Sequence, residues 1–262
     1  MPVRIGVVDY LNSWPLAWGF LSDRIGDDFE PSYHPPARVA DLLAEGSLDV
    51  GLVPSIEVQR LPDLMVVPGL CVAATHEVRS VLLVANRPVE EIRSVALDEN
   101  SRTSAALVDI VLSERFGVEA ETTTASPDVE RMLSDADAAL VIGDPALAVD
   151  RERYVVLDLA AEWRLLTGRP FVFAVWAARA DVASPELTVV LDQSLGLGLE
   201  EMDRIIARAV DELGLAEEVV ERYLLRHLRF AMGAAELEGL EEFFRRAAAR
   251  GAIERVEPLR FV

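Results

Sequence analysis

The sequence predicts an α/β protein in which strands and helices alternate in two blocks and a helical tail closes the chain. Three observations carry this prediction. Short apolar runs followed by polar loops and amphipathic segments recur as far as residue 177. From Pro185 onward apolar positions fall at three- and four-residue spacing. A chain of 262 residues, 51% hydrophobic and 27% charged, has the profile of one or two folded domains rather than a disordered or fibrous protein. Two α/β lobes, the second inserted into the first, fit this order, and the periodicity alone fits a single large sheet as well.

The elements follow in sequence. Residues 4–8 read as a buried strand, followed by the loop Asp9-Tyr10-Leu11-Asn12-Ser13-Trp14-Pro15 and a helix to about residue 21, with Ser13 as N-cap and Pro15 in the first turn. A helix over 37–45 is closed by Gly46, and strands are expected over 48–53, 64–67 and 78–85. After Asn86-Arg87-Pro88 a second unit opens with a strand at 94–97, the loop Asp98-Glu99-Asn100-Ser101-Arg102-Thr103-Ser104, and a helix to Phe116 ended by Gly117. Strands at 121–124, 138–142 and 154–157 alternate with helices at 128–133 and 160–166, and the apolar run 171–177 follows. Helical patterns occupy 187–213, 217–228 and 235–249. The expected lobes are 1–90 with 178–262, and 91–177 as the insertion, with a hinge and a cleft between them.

Composition excludes several chemistries. The 45 acidic residues against 25 basic ones leave a formal charge of -20, and all 25 basic residues are Arg. Without Lys there is no primary amine for a Schiff base, for pyridoxal phosphate or for a Walker-type phosphate loop. The acidic excess repels a phosphate backbone or an anionic leaflet, so neither nucleic acid nor a membrane is an expected partner. Cys71 is alone, and His34, His76 and His227 are too scattered for metal-ligand spacing and read as surface or packing residues, so no metal is expected. The first eight residues lack the features of a signal peptide and the longest apolar run is too short to span a bilayer, so the expected setting is cytoplasmic. The tail after Pro185 is expected either to pack on its own lobe or to pair with a second copy in a homodimer.

A few loops hold residues suited to binding. The loop from Asp9 to Pro15 offers Tyr, Asn, Ser and Trp beyond a strand end, which suits a small polar ligand and equally suits ordinary capping and packing. Ser101-Arg102-Thr103-Ser104 combines three hydroxyls and a guanidinium with the N–H groups of a helix start, an arrangement that attracts a carboxylate; its plainer reading is a good helix cap with an exposed Arg. Arg79 and Ser80 are neighbours in an expected strand, so only one of them faces a cleft. Gly143-Asp144-Pro145 closes another strand and doubles as a turn opener, Ser55 after Pro54 is on its own no more than a turn residue, and Trp163 and Trp176 read as core. No serine-nucleophile motif is present.

Taken together, the segments Asp9 to Leu16, Asp49-Val50-Gly51-Leu52-Val53-Pro54-Ser55, Val78-Arg79-Ser80-Val81, Ser101 to Ser104, Ile142-Gly143-Asp144-Pro145-Ala146 and Phe171 to Trp176 resemble the chorismate dehydratase family of the futalosine route to menaquinone. The resemblance runs in order along nearly the whole chain. It implies the two-lobed type 2 periplasmic-binding-protein-like fold with a ligand cleft between lobes, chorismate as small-molecule substrate, and no cofactor. It also implies Asn12 and Ser80 at the reacting centre, Ser55, Ser101, Arg102, Thr103 and Ser104 on substrate carboxylates, Tyr10 and Arg79 among the substrate-binding residues, and Asp144 on the substrate hydroxyl or in lobe closure. Two rival expectations are a carboxylate-binding protein of the same fold that does not react, and the later dihydroxynaphthoate-forming enzyme of the pathway. The absence of His from the motifs speaks against the latter.

Overall fold

The computed structural model describes residues 2–26 and 28–262. Eleven strands among these form two sheets. The first half contributes β1 (Val3–Val8), α1 (Trp14–Leu21), β2 (Phe29–His34), α2 (Pro36–Ala44), β3 (Val50–Pro54), α3 (Glu57–Arg60), β4 (Leu64–Ala74), β5 (Val81–Ala85), β6 (Ser94–Asp98) and α4 (Thr103–Phe116). Then come β7 (Glu121–Ala125), α5 (Val129–Asp135), β8 (Ala138–Ile142), α6 (Asp144–Leu147), β9 (Val155–Asp158), α7 (Leu159–Thr167) and β10 (Phe171–Arg179). The tail is α8 (Pro185–Glu200), α9 (Met202–Leu213), α10 (Glu217–Arg222), β11 (Arg229–Ala231) and α11 (Ala234–Ala249).

The first sheet runs β11-β4-β10-β3-β1-β2 and the second β7-β6-β8-β5-β9. β1 and β3 are parallel neighbours in one sheet, β6 and β8 in the other, so within each sheet the carboxyl ends of the pair lie on one edge. Strands β3, β5 and β8 are buried along their full length, which is why they read as unbroken apolar runs.

Sheet membership moves the crossings away from the expected bounds of 90 and 178. β5 pairs with β8 and β9, so 81–90 belongs with the second sheet, and β10 pairs with β3 and β4, so 171–177 belongs with the first. The chain passes between sheets at 75–80 and again after α7. Asn86-Arg87-Pro88 is a turn within the second unit, and an apolar run carries no mark of the sheet that buries it. Asp158 ties the two crossings together. Its carboxylate caps α7 through the N–H groups of Ala160 and Ala161 (3.1 and 3.2 Å) and accepts from Val78 (3.0 Å) and Arg79 (2.7 Å).

Local signals explain most other elements. Gly117 ends α4 at φ +66°, where a left-handed C-cap favours glycine. The Ser13 cap is absent: residues 11–13 form a 3-10 turn, Ser13 is already helical, and its hydroxyl donates back to the carbonyls of Val8 and Tyr10. Trp163 and Trp176 are fully buried, Trp163 packing edge-on to Phe171 at 5.3 Å. The tail packs on its own chain. Ser194 in α8 accepts the Gly19 N–H of α1 at 3.0 Å, and α11 lies against β10 and α4, where Arg250 grips Asp109. No helix among the described residues is long and apolar enough to cross a membrane.

Candidate active site

The loops beyond β1, β6 and β8 meet over a cleft. Its floor is apolar, with Val8, Leu52, Val72 and Phe173, and its polar groups come from both units: Tyr10 and Asn12 from the first, Ser101 to Ser104 from the second. A mostly apolar cavity with a few aimed polar groups both orients a small ligand and excludes water.

The start of α4 is the anion-seeking part of this wall. Ser101 Oγ is buried and makes no hydrogen bond among the described residues, so its donor capacity is available to a ligand. The first N–H groups of α4 and the Ser104 hydroxyl lie beside it, at the positive pole of a fourteen-residue helix. Thr103 and Arg102 face the cleft but are already engaged. Thr103 Oγ1 accepts the Ile56 N–H at 3.1 Å and lies 3.4 Å from Ser55 Oγ, whose own proton goes to the Val172 carbonyl at 2.8 Å. The Arg102 guanidinium donates to Asp41 at 2.6 Å and Glu57 at 3.3 Å on the opposite unit. Its charge is therefore answered by two carboxylates, and it joins the units as much as it faces a ligand.

Ser55, Ser80 and Arg79 depart from the expected wall. Ser55 is fully buried behind the cleft, where it fastens β3 to β10 and to Thr103. Ser80 is fully buried too; its Oγ accepts the Tyr223 hydroxyl at 2.7 Å and its carbonyl accepts the Gly143 N–H at 2.8 Å. The Tyr223 hydroxyl is also a neighbour of the Asn12 side chain, which links Ser80 to the cleft wall. Arg79 lines a different pocket; the expected strand over 78–85 begins only at Val81, and Arg79 lies in a bend before it at φ +71°, so strand alternation does not set its direction.

Asp144 does not line the cleft. Its carboxylate accepts the Leu11 N–H at 3.0 and 3.2 Å, joining the two units beside Tyr10. Burial, opposed by that N–H and aided by the negative charge of Asp9, pushes its pKa up to about 6. Burial and the carboxylates of Asp98, Asp144 and Asp9 raise the Tyr10 phenol well above its ordinary value, so it remains a hydrogen-bond donor at neutral pH. Gly143, at φ +69°, packs so closely on the Tyr10 ring that a Cβ would lie 2.7 Å from ring carbons.

A family model described as menaquinone biosynthesis matches residues 3–249. The chain belongs to this family. Among curated relatives, this family member is 28% identical to a chorismate dehydratase of Thermus thermophilus, over 92% of this chain and 94% of that one. It is 29% identical to a chorismate dehydratase of Campylobacter jejuni over 63% of this chain and 58% of that one. Among solved structures it resembles a protein of Archaeoglobus fulgidus, with a TM-score of 0.80 at 16% identity over 96% of this chain and 98% of that one. It also resembles the alkanesulfonate-binding protein of Xanthomonas axonopodis bound to MOPS, with a TM-score of 0.71 at 20% identity over 96% and 94% of the two chains. The fold of this family member is thus the two-lobed periplasmic-binding-protein fold.

Tyr223 is the site residue that sequence reasoning did not single out. It sits in a π-helical turn at 223–227, fully buried, 143 positions from the serine it contacts. A tyrosine in a helical pattern signals only that its hydroxyl needs some partner.

Proposed function

We propose that the protein is a chorismate dehydratase of the futalosine route to menaquinone, acting in the cytoplasm as a hydro-lyase that converts chorismate to 3-(1-carboxyvinyloxy)benzoate and water. The observation that carries the reading is the pairing of an unpartnered Ser101 hydroxyl at the start of α4 with Tyr10 and Asn12 across an apolar cleft, in a chain whose curated relatives bear that name. Chorismate is a dianion with a ring carboxylate, an enolpyruvyl carboxylate and a ring hydroxyl, and such a wall meets each with donors.

The reaction breaks the C–H bond at ring C3 and the C–O bond at ring C4. The C3 electron pair delocalises through the conjugated diene toward the ring carboxylate, then returns to form the aromatic ring as hydroxide leaves C4 and takes up a proton. Aromatisation supplies the driving force. The protein holds one pose and stabilises charge moving onto the ring carboxylate, a task for preorganised donors. In this reading Ser101, Ser104 and the α4 N–H groups hold a carboxylate, Asn12 acts at the reacting centre with Ser80 behind it through Tyr223, and Asp144 closes the lobes. The enolpyruvyl carboxylate of the substrate takes the C3 proton. What supports this last assignment is that Asp144 is occupied by the Leu11 N–H and that Asp9 is exposed.

The test is product analysis after mixing purified protein with chorismate and no added cofactor. The benzoate product, seen by its ultraviolet spectrum, is expected. Recovery of unchanged chorismate from a saturated, folded sample overturns the reading in favour of a binding protein.

A further inference from the structure

We propose that the pocket walled by Arg79, Arg151, Arg222 and His227 is a binding site for a small oxyanion, separate from the cleft. The buried ring of Tyr223 stands between this pocket and Ser80. The inference stands on its own residues and does not depend on the reaction assigned to the cleft.

Concentrating three guanidiniums in a chain of charge -20 is the first argument, because the ion pairs that other arginines form lie within 3.3 Å, closer than any in this pocket. Arg250 donates to Asp109 and Glu119 at 2.7 to 3.0 Å, and Arg4 Nε to Asp49 at 2.9 Å. In the pocket the distances are longer: 3.5 Å from Arg79 to Glu77, 3.9 Å from Arg151 to Asp158 and 3.6 Å from His227 to Glu77. None of these is a charge-assisted hydrogen bond, which runs at roughly 2.7–2.9 Å. Asp158 has little left to offer, since its oxygens already accept four backbone N–H groups. Arg222 makes no ion pair within 4.0 Å among the described residues, although Glu218 and Glu221 share a groove with it on its other side.

The second argument is a pair of buried nitrogens left without partners. Arg151 Nη2 and His227 Nε2 are both shielded from solvent without a hydrogen-bond partner among the described residues, and the His227 side chain is only 10% exposed. Buried polar groups without partners are costly and uncommon, so a guanidinium nitrogen and an imidazole nitrogen left bare on one pocket call for a group from outside the chain. Burial and the like charge of Arg79 also lower the affinity of Arg151 for its proton, the strain expected of a cation short of a counter-ion.

Backbone geometry builds the pocket rather than leaving it to chance. Arg79 is one of two non-glycine residues at positive φ among the described residues, at +71°, a conformation unfavourable for a side chain with a Cβ. Asp158 holds it there by the 2.7 Å bond to its N–H. Guanidinium forks match the paired oxygens of a carboxylate or a phosphate. Three of them line the pocket, with Glu77 and Asp158 at ion-pair distances beyond those of a charge-assisted hydrogen bond, an arrangement suited to one small anion.

The full chain is titrated by calorimetry with inorganic phosphate and, separately, with succinate at low ionic strength, while histidine NMR signals are followed and His227 is assigned by His227→Gln. One-site binding of at least one probe is expected, with the His227 signal shifting and those of His34 and His76 fixed. Phosphate alone binding marks a phosphate-class ligand, and succinate alone a carboxylate. Arg151→Gln and Arg222→Gln should each weaken binding about tenfold or more, the loss of one charge-assisted contact. Arg255→Gln removes the same charge from an exposed site and should change affinity by no more than about twofold. Arg222 is exposed, so its variant tests the site even if Arg151→Gln folds poorly. Three results overturn the proposal: no binding of either probe below about 10 mM with His227 unmoved, an equal loss in Arg255→Gln, or binding abolished by Ser101→Ala and untouched by Arg151→Gln.

Discussion

The Tyr223 hydroxyl donates to Ser80 Oγ at 2.7 Å, both groups fully buried, and so decides where the Ser80 proton can point. With one lone pair occupied by Tyr223, Ser80 is left to direct its own O–H to an acceptor other than Tyr223. Tyr223→Phe frees that hydroxyl to rotate. The expected result is a fall in kcat of about tenfold with little change in KM, because substrate binding does not use Tyr223. Urea unfolding should show a loss of about 1 kcal/mol, the worth of one buried hydrogen bond. A larger rise in KM than fall in kcat would mean that Tyr223 shapes the cleft rather than orienting Ser80.

What the sequence discloses and what it hides divide along contact distance. The strand-loop-helix order around Tyr10 and Asn12, the helix that follows the 98–104 loop and its Gly117 cap are all written in neighbouring residues, although neither helix start carries a side-chain cap and α4 begins at Thr103, inside the expected loop. Strand β2 escapes notice because Pro31 interrupts a polar, half-exposed edge, where a missing N–H costs little. The three-residue β11 is too short for any period. The hinge position, the engagement of Ser55 and Arg102, and the role of Tyr223 depend on partners 45 to 143 residues away, which no local pattern records.

Asp144 gives a pH-dependent stability whose sign is fixed by its raised pKa. Between its ordinary value near 4 and its folded value of about 6, the folded state binds more protons than the unfolded one. Its contribution is therefore most favourable below about pH 4 and is lost as pH rises through about 6. Relative to Asp144→Asn, the wild type should lose on the order of 2 kcal/mol across this window. Paired urea melts at pH 4.5 to 7.5 (roughly the window set by those values) check it, and a constant difference between the two proteins would refute the assignment. The same variant tests the proton acceptor. Turnover within about a hundredfold of wild type is expected, whereas a loss of roughly four orders of magnitude, the scale of a missing general base, would make Asp144 the base.

Arg102 should matter more for binding than for chemistry. It bridges Asp41 at 2.6 Å and the buried Glu57 at 3.3 Å, so Arg102→Gln loosens the closed arrangement and leaves Glu57 only Arg60 at 3.0 Å. KM for chorismate should rise about tenfold with a smaller effect on kcat, and stability should fall by about 1–2 kcal/mol. Arg102→Lys should not restore KM, since a single ammonium does not reproduce a fork shared by two carboxylates. Steady-state kinetics on the three proteins decide the matter. An unchanged KM in Arg102→Gln would remove Arg102 from lobe closure.

Gly143 is the position where backbone and cleft geometry are least forgiving. Its φ of +69° and ψ of −150° lie in a region open essentially to glycine alone, and a Cβ would sit 2.7 Å from the Tyr10 ring. Gly143→Ala therefore carries two penalties, backbone strain of about 1–3 kcal/mol and displacement of the Tyr10 ring. Moving that ring also shifts the Leu11 N–H away from Asp144, so closure and stability should suffer together. The expected outcome is a loss of roughly 2–4 kcal/mol in urea unfolding and a KM raised at least tenfold. The double variant Tyr10→Ala, Gly143→Ala separates the causes. Relief of the clash should recover part of the stability, while the backbone strain persists; no recovery would assign the whole effect to the main chain.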